Sequence, residues 1–271
     1  MLTIVASMQQ ELSALDRALI RNLGSGHGQE LRVIGIGPGR AAEAVTALLA
    51  SPSAAGRRAV LLLGFAGALK PELKTGGLIL ASAYHRQPAT ATQTMIPDHL
   101  TPDPEMARLA VKAAEIAGLP VNRGPSLTVD ALVPGPAGKR RLHQSFAVTS
   151  VNMEDHAVAA VCAQAGAAFL SARAVLDTVE QSLPGYLTDL SDSSLNAAVS
   201  TLLRPWRLPV LLPLAGRARR AQTTLCRFGL AFVQRFVAFG NLPETASGDQ
   251  TRGKSQVSLP SSQEPSGAIR A

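Results

Sequence analysis

Acidic side chains stand at two places in the middle of the chain where acid–base chemistry is feasible. Glu154 begins a predicted helix in the run Val-Asn-Met-Glu-Asp-His, and Asp177 stands at the end of a predicted buried strand that begins near residue 168. An acid at a strand end and another at a strand-to-helix turn form a typical site of α/β proteins. If its surroundings hold one carboxyl protonated, that group can give a proton to a leaving group. A third acid, Glu11, begins a predicted helix near the N-terminus.

Short strands and helices alternate around these acids. Apolar runs predict strands, and apolar residues at three- and four-residue spacing predict helices. The order favours a three-layer α/β sandwich around a central mixed sheet, with a C-terminal helical extension. The predicted strands are 2–6, 31–36, 59–63, 77–84, 126–129, 147–151 and 168–175, and the predicted helices are 11–20, 41–49, 104–118, 136–144 and 154–165.

Length and composition bound the protein class. The 271 residues are 46% hydrophobic, which is ample for one large domain, and we assign that domain to residues 1–187. Two cysteines, Cys162 and Cys226, lack CxxC partners, so we expect neither a metal site nor a disulfide framework. No basic signal-peptide start and no run of 18 apolar residues is present, which favours a cytoplasmic protein that is soluble or peripheral at the inner membrane face.

The C-terminal third has a different character. We predict a helical extension over 188–240, with a first helix over 189–203, and a disordered tail over 241–271 that is rich in Ser, Gly and Pro. Three prolines then break the chain before a basic amphipathic helix over 217–239. The prolines are Pro205, Pro209 and Pro213, and the apolar stripe of the helix consists of Leu225, Phe228, Phe232 and Phe236.

Several short motifs, in a shared order and at compatible spacings, resemble the methylthioadenosine/adenosylhomocysteine nucleosidases of the nucleoside phosphorylase superfamily. The resemblance covers residues 1–180. A closer resemblance, to the hopanoid-associated phosphorylases, rests on the run 64–68, on Leu183-Pro184 and on the proline-broken basic segment. The motifs are Met-Gln-Gln-Glu-Leu at 8–12, Gly-Ile-Gly-Pro-Gly at 35–39, Gly-Phe-Ala-Gly-Ala-Leu at 64–69, Val-Asp-Ala-Leu-Val at 129–133, Val-Asn-Met-Glu at 151–154 and Leu-Asp at 176–177.

The resemblance implies a role for each acid. Asp177 is the catalytic acid at purine N7, and Glu11 orients an attacking water. Glu154 binds the ribose hydroxyls, and Met153 lies against the sugar. The resemblance also places Asn152, Gly67, Ala66, Leu132 and Val133 at the substrate. From the residues alone, plainer roles stay open: Asp177 as a helix N-cap, Glu154 in a first helical turn and Glu11 as a solvated helix residue.

The implied activity is cleavage of the purine N-glycosidic bond of an adenosine-type nucleoside. The resemblance implies adenosylhopane as substrate and hopanoid biosynthesis as the process, with adenine released and no cofactor. The co-substrate stays open between water and inorganic phosphate, for which Arg40 on its Gly-rich turn is a candidate ligand. Three residues depart from the family pattern: Asn152 stands where many members have Glu, Leu176 replaces a Ser or similar residue that could orient Asp177, and Phe65 replaces a small hydroxyl residue. These departures leave a second hypothesis, a non-catalytic member that binds an adenine nucleoside or a lipid.

The expected partners follow from the same reasoning. We expect an adenosyl-lipid substrate and a homodimer or higher homo-oligomer. The net charge of +7, from 26 Lys and Arg against 19 Asp and Glu, does not indicate nucleic acid, because the arginines lack interleaved aromatic residues. The helix over 217–239 is predicted to meet an anionic membrane surface with its apolar stripe, and packing of that stripe on the catalytic domain is the alternative.

Overall fold

A computed structural model describes residues 1–24, 28–51, 58–87, 100–183 and 208–240. Strands and helices alternate along most of this length, as the apolar pattern predicts. The strands are β1 (Leu2–Ala6), β2 (Glu30–Val33), β3 (Ala59–Ala68), β4 (Leu78–Arg86), β5 (Val121–Thr128), β6 (Ser150–Asn152) and β7 (Ala168–Asp177). The helices are α1 (Gln9–Leu23), α2 (Pro38–Ala50), α3 (Pro104–Ile116), α4 (Pro136–Phe146), α5 (Asp155–Gln164) and α6 (Leu208–Gly240).

The seven strands form one mixed sheet, part of which closes on itself. β1 lies between β2 and β3, and these three strands are parallel. β3 pairs in parallel with β7 along residues 59–67, and its end pairs antiparallel with β6. β6, β5, β4 and β7 follow in that order, so the return of β7 to β3 closes a ring of five strands. The long strand β3 therefore joins the parallel edge of the sheet, through β1, to the ring, through β6 and β7.

Helices cover both faces of the sheet, and the strand residues alternate between two cores. In β3, Leu61 and Leu63 pack with α1, α3 and α6, whereas Val60 and Leu62 pack with α2 and α5. This alternation is the period of two that a strand buried on both faces requires. The three-layer α/β sandwich with a mixed sheet is confirmed.

Helix α6 corrects the prediction for the C-terminal segment. It begins at Leu208, so Pro209 and Pro213 lie inside it and do not precede it. Pro209 is in the first turn, where proline is tolerated because the first N–H groups have no partner within the helix. Pro213 lies beyond that turn, so the helix lacks one backbone hydrogen bond there. The helix predicted over 189–203, Pro205 and the tail over 241–271 lie outside the described residues.

The apolar stripe of α6 is buried against the protein. Leu225, Phe228 and Phe232 have no exposed surface and belong to the same core as α1, α3 and the sheet, and Phe236 packs beside them. Helices α1 and α6 come close at Gly229, where an added Cβ would lie 2.7 Å from Leu15 Cδ2. The prediction that this stripe faces lipid is therefore wrong, because the apolar side chains of the stripe are buried in the protein core. Among the described residues, no helix is long and apolar enough to cross a membrane.

Candidate active site

A cavity of about 350 Å³ lies where β3, β6 and β7 end beside the starts of α1 and α5. Helix α6 contributes Leu214 and Ala218 to its wall. Most of the predicted site residues line this one cavity although they come from distant parts of the chain. They are Glu11, Ala66, Gly67, Leu132, Asn152, Met153, Glu154 and Asp177.

Glu11 is the third residue of α1 and is buried, with 2% of its surface exposed. Its carboxylate accepts the backbone N–H of Met8 at 2.9 Å and that of Phe65 at 2.8 Å. Burial raises the pKa of Glu11 to about 7, although Arg173 and the Phe65 N–H act to lower it. A carboxyl with that pKa exchanges a proton readily near neutral pH, as a general base must.

Arg173 links the acids at this side of the cavity, and the sequence reasoning missed it. The side chain lies under Gly64, where an added Cβ would stand 2.2 Å from Nη1. Nη2 donates to Asp155 at 2.6 Å and to Glu154 at 3.1 Å, and Nη1 donates to the Phe65 carbonyl at 3.3 Å. Burial opposes the charge of Arg173, but the three carboxylates outweigh that cost and hold its pKa above the ordinary value.

Asp155 holds Arg173 in place from outside the cavity lining. The sequence reasoning did not identify this residue either. It is completely buried, and its Oδ1 accepts from Ser171 at 2.6 Å and from Arg173. Its Oδ2 accepts from Ser126 at 2.9 Å and from Asn152 at 2.8 Å. A buried carboxylate with this many donors is compensated for its desolvation, so it holds the guanidinium in one position.

Asn152 supports this network as well as lining the cavity. Its Oδ1 accepts from the Thr128 hydroxyl and from the backbone N–H groups of Glu154 and Asp155, at 3.1, 3.0 and 2.8 Å. The amide therefore shapes the turn that carries Glu154 to the N-cap of α5. Glu154 in turn accepts the Gly37 N–H at 3.2 Å, which ties this turn to the start of α2. Contact of Asn152 with a substrate stays a prediction.

Asp177 reaches the cavity from the end of β7 through a β-bulge. Ala66 of β3 is opposite Val175, but the next residue, Gly67, is opposite Asp177, so Leu176 has no partner on β3. In a regular strand, neighbouring side chains point to opposite faces. The extra residue lets both Leu176 and Asp177 line the cavity.

The carboxyl of Asp177 is 2% exposed and is bound from behind by a lysine. The Lys139 ammonium of α4 donates to Oδ2 of Asp177. Burial raises the pKa of Asp177, while the charges of Lys139 and, further off, Arg217 lower it in part. Two of the acids that line the cavity, Glu11 and Asp177, are thus easier to protonate than ordinary carboxyl groups.

Two predicted residues lie away from the main cavity. Arg40 is exposed in the first turn of α2 and does not line it, so its role as a phosphate ligand stays a prediction without a supporting contact. Val133 lines a small adjoining space of about 40 Å³ beside Gly67, Leu132 and Asp177. In the described part of the chain, no group of three or more His, Cys, Asp or Glu side chains is placed to hold a metal ion.

Comparison with known proteins agrees with this architecture. Futalosine hydrolase of Helicobacter pylori strain 26695 has a TM-score of 0.65 and 19% identity, over 86% of this chain and 97% of that one. The 5′-methylthioadenosine/S-adenosylhomocysteine nucleosidase from Neisseria meningitidis has a TM-score of 0.65 and 21% identity, over 86% and 98%. At these low identities, the TM-scores show a common fold. A sequence profile described as "Phosphorylase superfamily" matches residues 17–203, more than half of the chain. The chain therefore belongs to the phosphorylase superfamily of enzymes.

Proposed function

We propose that the protein hydrolyses the N-glycosidic bond of an adenosine-type nucleoside and releases adenine. The observation that carries this proposal is the pair of buried acids, Glu11 and Asp177, on one cavity. Both have raised pKa values, so one can accept a proton while the other donates one. The names of the similar structures, a hydrolase and a nucleosidase, support the same reaction class.

Water suits the charges of the site better than phosphate. Glu11 and Glu154 line the cavity together, and a phosphate dianion beside them would be repelled. Among the described lining residues, the cationic side chain is Arg173, whose donors already bind Glu154, Asp155 and the Phe65 carbonyl. A neutral water molecule is not repelled by the carboxylates and does not need a cationic ligand.

The two acids reach the cavity beside different residues of β3. A Cβ at Gly64 would lie 3.2 Å from Glu11 Oε1, and a Cβ at Gly67 would lie 3.5 Å from Asp177 Oδ2. Because these glycines are three residues apart on β3, the two acids approach a substrate at different places along the strand. In inverting glycosidases, the acid and the base act on opposite faces of the sugar, and the base activates the attacking water.

The proposed reaction balances with these two groups. Water attacks the anomeric carbon and gives its proton to the Glu11 carboxylate. The bond between C1′ and N9 breaks, its electron pair moves into the purine, and N7 takes the proton of Asp177. Glu154 binds the ribose hydroxyls and, as an anion, stabilises positive charge that develops on the sugar.

Product analysis tests the choice of nucleophile. We expect purified protein to release adenine at the same rate with and without inorganic phosphate. In ¹⁸O-water, the label should appear in the free sugar. Dependence on phosphate with formation of a sugar 1-phosphate would refute hydrolysis, and binding of nucleoside without adenine release would favour the non-catalytic alternative.

For the substrate, we propose an adenosine that carries a large apolar 5′ group. Leu176, Leu183 and Leu214 line the cavity and give it an apolar wall. The motif resemblance to the hopanoid-associated phosphorylases extends the proposal to adenosylhopane. In a series of 5′-alkyl adenosines, each newly buried methylene contributes about 0.8 kcal/mol, so kcat/KM should rise by about fourfold per carbon until the wall is filled. If an adenosine with a 5′-carboxylate has the same kcat/KM as the 5′-alkyl adenosines, the proposal of an apolar 5′ group is contradicted.

Homo-oligomerisation and membrane contact are further proposals. Since the apolar stripe of α6 is buried, a membrane contact would use exposed arginines of that helix, such as Arg219, Arg220 and Arg227. Arginines near anionic lipid add about 1 kcal/mol each. Flotation with anionic vesicles at low and high salt tests the contact, and sedimentation equilibrium tests the oligomeric state.

A further inference from the structure

Lys139 is a buried cation behind the proposed catalytic acid. It is the fourth residue of α4 and has no exposed surface. Its ammonium donates to Oδ2 of Asp177, to the Thr178 carbonyl at 2.7 Å and to the Gln181 carbonyl at 2.8 Å. All three N–H donors of the ammonium therefore have partners, which compensates the cost of burying the charge.

We propose that Lys139 is a positioning residue for Asp177: it holds the carboxyl through Oδ2 with Oδ1 available to the purine, and it stabilises the carboxylate that remains after proton transfer. This inference rests on the proposed function. Lys139 acts through Asp177, because it lies behind the cavity wall and is not one of the residues that line it.

The charge of Asp177 changes during the proposed reaction. When Asp177 gives its Oδ1 proton to N7 of the leaving purine, a neutral buried acid becomes a buried anion. An unpaired carboxylate in such surroundings is expensive, and a cation in hydrogen-bond contact removes most of that cost. Solvent returns the proton to Asp177 after adenine leaves. Lys139 thus makes Asp177 a stronger acid than burial alone would.

Other charged groups near Asp177 are less direct. Arg217 of α6 lowers its pKa from a distance and donates to the Gln181 side chain. The pair of Arg140 and Glu180 is more than half exposed, so water screens it. Glu11, Glu154 and Arg173 form a separate network at the other side of the cavity.

The same lysine also fixes the wall that follows β7. By binding the carbonyls of Thr178 and Gln181, it holds this segment against α4, and the Leu183 N–H donates to the Pro134 carbonyl at 2.7 Å. A purely structural role for Lys139 is therefore a real alternative, and the experiment must separate it from the electrostatic one.

The test compares Lys139→Met and Asp177→Asn, alone and combined, by the pH dependence of adenine release. In the wild type, activity falls at high pH as Asp177 loses its proton. Removing the Lys139 charge raises the pKa of Asp177, so this alkaline limb should move up by about 1–3 pH units. Release on the plateau should fall about tenfold or more, with KM nearly unchanged, since a weaker acid protonates the purine. In the Asp177→Asn background, Lys139→Met should cost nothing further.

Three outcomes would overturn the inference: unchanged activity, a loss with an unmoved alkaline limb, or a full additional loss in the double variant. If Lys139→Met does not fold, Lys139→Gln carries the same test, because its amide can still donate to the backbone carbonyls. A wild-type protein that releases no adenine refutes the proposed function instead, so the two failures are distinguishable.

Discussion

Gly64→Ala is a sharp test of the site because it adds one methyl group and removes no chemical function. The new Cβ would lie 2.2 Å from Arg173 Nη1, 3.1 Å from its Cζ and 3.2 Å from Glu11 Oε1. Real Cβ atoms do not approach other atoms to 2.2 Å, so the guanidinium must move. It cannot do so freely, since it donates to Asp155, Glu154 and the Phe65 carbonyl.

The expected cost combines overpacking and a weakened ion-pair network. Overpacking a core costs about 1–3 kcal/mol, and breaking a buried ion pair costs about 3–5 kcal/mol. With partial relaxation we expect Gly64→Ala to lose about 3 kcal/mol, which lowers Tm by about 6–12 °C in a domain of this size. Displacing Arg173 also removes a charge that lowers the pKa of Glu11, so that pKa should rise above about 7.

Thermal unfolding and the pH profile of adenine release measure these two effects. The base Glu11 must be ionised, so activity falls as pH drops through its pKa, and this acidic limb should move to higher pH in Gly64→Ala. Gly39→Ala is the matched control, because a Cβ there meets no atom within 4 Å. Its Tm and acidic limb should stay near those of the wild type. Wild-type stability and an unmoved limb in Gly64→Ala would refute the placement of Arg173.

Other substitutions test other parts of the molecule. Glu11→Gln should lower adenine release by about 10²–10⁴-fold and remove the acidic limb of the pH profile; survival of that limb would assign it to another group. Glu154→Gln should lose a charge-assisted hydrogen bond to the ribose, about 10- to 150-fold in kcat/KM, and lose less on a 2′,3′-dideoxy analogue, where only the charge of Glu154 is removed. Phe232→Ala in α6 should cost about 3–5 kcal/mol in urea unfolding, whereas exposed Val237→Ala should stay within about 0.5 kcal/mol. Equal effects at these two positions would contradict the packing of α6.

The order of strands and helices was predictable because each buried run has a clear period. The least accurate strand is β5, which begins at Val121 and not at residue 126. Its first half contains Asn122, Gly124 and Pro125, residue types that are depleted in strands. Tertiary packing overrides that preference: a Cβ at Gly124 would lie 1.9 Å from the Thr149 hydroxyl, so the site needs a glycine.

The burial of Arg173 and Lys139 could have been predicted from the residues around them in the sequence. Arg173 interrupts an apolar strand, and a charge in a buried strand requires a partner. Lys139 reads as part of a solvated basic run with Arg140 and Arg141, yet it shares a helix face with the buried Leu142 three residues on. Spacing would have placed both residues inside the protein, but their carboxylate partners are more than fifteen residues away, beyond any local pattern.

The departure at Leu176 has a physical explanation in the bulge. From the sequence, a leucine before the acid removes a hydrogen-bonding neighbour and weakens the case for catalysis. In the structure, the bulge turns Leu176 into the cavity as apolar wall, and Lys139 binds the carboxyl of Asp177 from another element. Leu176 cannot hydrogen-bond to Asp177, but the Lys139 ammonium does. The acid can be oriented without a serine beside it, and the leucine instead favours an apolar ligand at this wall.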